Sequence, residues 1–98
     1  MVKLTRYNVL RYLAEHNWVV KNSDLSKSFG VSGGATTIIC MRLYYSGTLK
    51  KEIKREQMPN AQKGLIKRSV FWSVPEKRRV ITEEFLKREG IRRRNKND

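Results

Sequence analysis

Between Phe29 and Gly34 the chain reads Phe-Gly-Val-Ser-Gly-Gly, and this stretch constrains the fold more than any other. Gly30 supplies a helix stop, and Ser32, two residues on, is a natural cap for the next helix. The spacing predicts a helix of about two turns, capped by Asn22 or Ser23 and ending at Ser28 or Phe29, with Leu25 and Phe29 on one face. A longer helix follows from about Gly33 to Tyr45, closed by Ser46 and Gly47.

Upstream, Val9, Leu10, Leu13 and Ala14 recur at helical spacing behind Thr5, which predicts a first helix over Thr5 to His16. Asn17 ends it, and Trp18 to Val20 make a brief β-prone stretch. Downstream, Thr48 to Glu56 and Leu65 to Val74 read as the two strands of a hairpin, with Leu49, Ile53, Ile66, Val70, Trp72 and Val74 as apolar positions. The Gln57 to Gly64 segment between them contains Pro59, Asn60 and Gly64 and reads as a protruding loop. Pro75 breaks the second strand, and the Ser73 to Glu76 spacing of a capping box predicts a last helix to Glu89, stopped by Gly90. Val80, Ile81, Phe85 and Leu86 give it an apolar side. Residues 1–90 thus form one α+β domain, and residues 91–98 are expected to be a basic disordered tail.

Charge narrows the partner. Twenty-two Lys and Arg oppose nine Asp and Glu, a formal net charge of +13, which points to a polyanion. Residues 1–47 carry +4 of it and residues 48–98 carry +9. Cys40 is the only cysteine, so no internal disulfide is possible. No apolar run is long enough to cross a bilayer and no signal-peptide pattern opens the chain. A protein of a reducing compartment, cytoplasmic or nucleoid-associated and not secreted, is expected.

The segments VLRYLAEHN, SDLSKSFGVS, GATTIICMRLYYSGTL and FWSV follow in the order helix, helix, turn, helix, hairpin. In that order residues 6–74, about two thirds of the chain, resemble the winged helix-turn-helix domains of small transcriptional regulators. Leu25, Phe29, Gly30 and Val31 match the family's second-helix core and turn, and Leu43, Gly47 and Leu49 match its exit from the recognition helix. Gly33 and Gly34 depart from it, since relatives commonly carry longer polar side chains there.

The resemblance implies a sequence-specific duplex-DNA binder, with residues 33–45 in the major groove and a basic wing, 48–74, on the backbone or in the minor groove. A helical projection puts Ala35, Thr36, Ile39, Cys40 and Leu43 on the core side and Gly34, Thr37, Met41 and Tyr44 outside, with Ile38 and Tyr45 at the edge of the outer set. Thr37 would bond a base edge; Ile38 or Met41 would meet a thymine methyl or else pack on the wing or a second subunit. Ser32, Tyr44 and Tyr45 are candidate phosphate contacts, as is Arg42 near the core edge, unless it pairs with an acid. Gly33 and Gly34 either admit a phosphate to the helix N-terminus or only ease the turn. Lys50, Lys51, Lys54, Arg55, Lys63, Lys67 and Arg68 outnumber Glu52 and Glu56 in the wing, where each is a phosphate contact or part of a solvated face, and Arg92, Arg93 and Arg94 either add counterion release or are simply an untidy C-terminus.

Dimerisation through the first and last helices is expected, giving two half-sites about one turn of DNA apart, unless Val80, Ile81, Phe85 and Leu86 pack on their own domain. Two alternatives stand beside this reading: a general nucleic-acid binder, architectural or RNA-directed, and a winged-helix protein-interaction module. An enzyme is not expected. His16 has no partner at metal-ligand spacing, and no G-x-S-x-G or Walker-type loop occurs. No metal, cofactor or small-molecule ligand is inferred, and no membrane partner.

Overall fold

The computed structural model describes residues 3–57 and 66–95, except for the side chains at 56, 57, 66, 67, 94 and 95. Its elements follow the order α1 (Arg6–Glu15), β1 (Val19–Lys21), α2 (Asn22–Phe29), α3 (Gly33–Tyr45), β2 (Lys50–Gln57), β3 (Ile66–Ser73) and α4 (Glu76–Asn95). The strands form one antiparallel sheet in the order β1-β3-β2. The expected hairpin loop, from residue 58 onward, lies outside the described residues.

Helix α1 begins where expected: the Thr5 side chain accepts the Asn8 N–H at 3.2 Å. It ends in two left-handed residues, Asn17 (φ 58°) and Trp18 (φ 67°), with the Trp18 N–H donating back to the Leu13 carbonyl at 2.7 Å. That conformation is uncommon for side chains other than Asn, and at Trp18 it is held from both sides, because the Trp18 carbonyl also accepts the Val74 N–H. The chain is thereby turned into β1.

Helix α2 departs from its expected cap. Lys21 occupies the capping position without a side-chain bond, and Asn22 is the first helical residue. Asn22 is committed elsewhere: its Oδ1 accepts the Trp72 indole N–H from β3 at 2.9 Å. Gly30 closes α2 at φ 64°, and the Ser32 hydroxyl accepts the Ala35 N–H to open α3. A hydrogen bond from Ser26 to Thr36, 2.9 Å long and buried, fixes the two helices across that turn. Gly47, at φ 82°, sends the chain from α3 into β2.

One core joins all layers: Val9, Leu10, Leu13, Val20, Leu25, Phe29, Cys40, Leu43, Leu49, Trp72 and Val74. Each large side chain buried there contributes about 1.5–3 kcal/mol. Ile53, expected among the strand's apolar positions, is instead 55% exposed, because β2 has run past the helices by that point.

Helix α4 differs most from expectation. It has no Ser73 to Glu76 box, since Ser73 is the last residue of β3, paired with Val19 and Lys50. Nor does Gly90 stop it: the helix runs on to Asn95, so residues 91–95 are helical rather than a disordered tail. Gly90 has a packing reason. A Cβ there would stand 3.3 Å from the Tyr7 hydroxyl of α1, so the missing side chain lets the two helices approach. The expected apolar side splits in two: Phe85 and Leu86 pack on the core, whereas Val80, Ile81 and Ile91 face outward.

Candidate nucleic-acid interface

Thr36, Cys40 and Leu43 turn one side of α3 into the core. The opposite side is a row of Gly34, Ile38 and Tyr45, with Arg42 beside it, all exposed. Ile38 is 60% and Tyr45 78% exposed, so these two, expected at the edge, are the middle of the outward face. Thr37 and Met41, expected on it, are half-buried. Met41 packs against the core and meets the Lys51 ammonium of β2 at 4.0 Å, while the Thr37 hydroxyl donates to the Gly33 carbonyl at 2.8 Å. Tyr44 lies tilted against Tyr45, ring centroids 5.5 Å apart. Arg42 stands outside the core edge and has no ion pair among the described residues.

Ser32 is exposed, but its hydroxyl is used as the cap of α3. Gly33 and Gly34 are exposed and helical, and neither has a positive φ. A Cβ on either would meet nothing closer than 3.8 Å. The turn therefore does not demand glycine at 33 or 34, and a side chain would fit. Their effect is on the outside, where the first two N–H groups of the helix lie open without an intrahelical acceptor.

The strand register divides the hairpin's charge between two faces. Trp72 pairs with Val20 on one side and Lys51 on the other, and all three share the core-facing side of the sheet. Two residues outward on that side Val70 stands opposite Ile53, and two further on Arg68 stands opposite Arg55. Lys51 reaches α3, so Ile53, Arg55 and Arg68 continue the side of the sheet on which α3 packs. Lys54 belongs to the other side, its ammonium 4.7 Å from the Phe71 ring centroid. Of the expected cations, then, Arg55 and Arg68 are brought together on the face of the sheet that α3 packs against, beyond the reach of the helices, and Lys54 is not. Lys63 lies outside the described residues, and for Lys67 only the backbone is described.

The arginines of the chain's end belong to a different part of the molecule. Arg92 is 3.6 Å from Glu89, and the Arg93 guanidinium lies 4.3 Å over the Tyr7 ring, both on α4, which packs on α1. The side chain of Arg94 is outside the described residues. The His16 Nδ1–H donates to the Tyr12 carbonyl, 2.7 Å away, and the imidazole stacks on the Tyr12 ring at the end of α1. Among the described residues no group of three His, Cys, Asp or Glu converges, and no helix is long and apolar enough to cross a membrane.

Sequence reasoning named Lys51 as one of the hairpin's cations and Ile53 and Val70 as apolar strand positions, but did not join them into one face. The signal was present in the two-residue alternation from Trp72, but it needs the cross-strand register, which a long loop leaves open. The chain matches no protein-family model and no curated protein.

Proposed function

We propose that this chain is a winged helix-turn-helix protein that binds duplex DNA sequence-specifically as a homodimer and regulates transcription. In this reading α3 is the recognition helix and β2–β3 the wing. The observation that carries it is the Arg55–Arg68 pair. Like charges placed directly opposite across two strands cost stability, and a phosphate between them reverses the sign of that interaction. The pair lies on the α3 side of the sheet, so helix and wing address one duplex together.

The outer row of α3 suits the major groove by shape. Open glycines at its start allow close approach to the backbone, and Ile38 offers an apolar contact rather than a hydrogen bond. Affinity then comes mainly from the wing's charge, and specificity from fit and DNA shape.

The test is selection of bound duplexes from a random pool, followed by titration of the best and a scrambled duplex at several salt concentrations. The expected slope of log K against log salt is about −5 to −9, as for about 6–10 phosphate contacts per dimer. A flat dependence refutes the proposal, and equal affinity for both duplexes would favour a general nucleic-acid binder. One observation favours a protein-interaction module instead: the exposed Ile38, Tyr44 and Tyr45 on α3. That reading predicts no duplex binding at physiological salt.

A further inference from the structure

The outer side of α4 carries a second ordered surface. Val80, Glu84, Lys87 and Ile91 are all exposed and fall in one row, on the side away from Thr82, Phe85 and Leu86. The row reads apolar, acidic, basic, apolar, with spacings of four, three and four residues. Turned end over end against a copy of itself, it is its own complement. Val80 meets the partner's Ile91 at each end, and Glu84 meets the partner's Lys87 twice in the middle. Arg88, exposed and one residue beyond Lys87, borders the same carboxylate. A parallel pairing would instead oppose Glu84 to Glu84 and Lys87 to Lys87.

We infer that two copies of this chain associate through antiparallel α4 helices, with the two-fold axis at the level of the Phe85–Leu86 peptide. The inference deepens the homodimer of the proposed function, and it rests on that reading only for the use to which a dimer is put. It replaces the expected interface on α1, whose apolar residues Val9, Leu10 and Leu13 are already consumed by the core. A two-fold axis makes the contact isologous, so it closes at two copies. The row from Val80 to Ile91 is about 17 Å long, and so short a helix pair buries less than a typical stable interface. The free dimer is therefore weak and concentration-dependent.

Disulfide trapping of the full chain without DNA tests the register. Val80→Cys and Ile91→Cys are prepared separately, then oxidised alone and as an equal mixture, with the natural chain and its buried Cys40 as background. The mixture is expected to give a crosslinked dimer, and each variant alone to give at most a tenth of that yield. Two copies of residue 80 stand about 17 Å apart in this arrangement, far beyond the 4.4–6.8 Å Cα separation of a disulfide. Adding Glu84→Lys or Lys87→Glu to both partners should reduce trapping at least fivefold, and the double exchange should restore it. Circular dichroism checks that each variant is folded.

Efficient trapping by Val80→Cys alone, yields that ignore the charge exchanges, or no mixed product above background would each overturn the inference. Because no DNA is present, that failure is separate from failure of DNA binding. The salt titration above still reports the latter on the natural chain.

Discussion

The indole N–H of Trp72 donates to the side-chain oxygen of Asn22 at 2.9 Å, joining the middle strand to the first residue of α2 across fifty positions of sequence. Trp72 is wholly buried, so removing the acceptor strands its N–H. Asn22→Ala should cost about 1–3 kcal/mol and lower the melting temperature by several degrees or more, whereas Asn22→Asp, which keeps an oxygen there, should cost less. Thermal and urea unfolding followed by tryptophan fluorescence measure both.

Burial pushes the Cys40 thiol from its ordinary 9.0 up to about 12. The folded state therefore holds its proton where the unfolded state has lost it. Stability from this group is complete below pH 9 and falls by about 1 kcal/mol per unit as pH rises from 9 toward 12. Urea unfolding across that window should show the decline, and Cys40→Ala should lose it. An aromatic disulfide reagent at pH 8 should react with the unfolded chain and leave the folded one almost untouched.

If Ile38 covers a thymine methyl, deleting that methyl should matter only while Ile38 is present. Replacing the contacted thymine by uracil in the selected duplex is expected to cost about 0.8 kcal/mol, about fourfold in affinity. Ile38→Ala should bind both duplexes equally. Thr37→Ala and Met41→Ala, whose side chains are turned toward the helix backbone and toward β2, should keep the discrimination. Fluorescence anisotropy on paired duplexes decides this.

Neutralising the opposed arginines should act in two directions. Arg55→Gln with Arg68→Gln is expected to weaken binding to every duplex alike and to reduce the salt slope by about one for each lost phosphate contact. The free protein should become slightly more stable, since relief of facing like charges is worth about 0.2–1 kcal/mol. Lys54→Gln, on the other face, should change the slope less. A set of salt titrations alongside melting curves reads both effects.

Much of the architecture is legible in the sequence because its punctuation is strong. Thr5, Gly30, Ser32 and Gly47 act locally, and the helix boundaries they imply agree with those observed. The misreadings arise where a residue answers to a distant partner. Asn22 looks like a cap until Trp72 is seen to need it, and Gly90 looks like a stop until Tyr7 is seen against it. The outward face of α3 is displaced for the same reason. A helical projection treats the helix as facing one core, whereas Met41 is also covered from the side by Lys51. The row on α4 was readable as residues, but its meaning depended on knowing that Phe85 and Leu86 face inward.

Because β3 lies between its neighbours, β2 is an edge strand of eight residues, paired along one side only among the described residues. An edge of that length is a template on which another chain can add a strand. Lys50, Lys51, Lys54 and Arg55 outnumber Glu52 and Glu56 along it, so a second such edge approaching this one meets a net positive strand like its own. Under the proposed function the same cations then have a second effect, opposing edge-to-edge pairing of two copies.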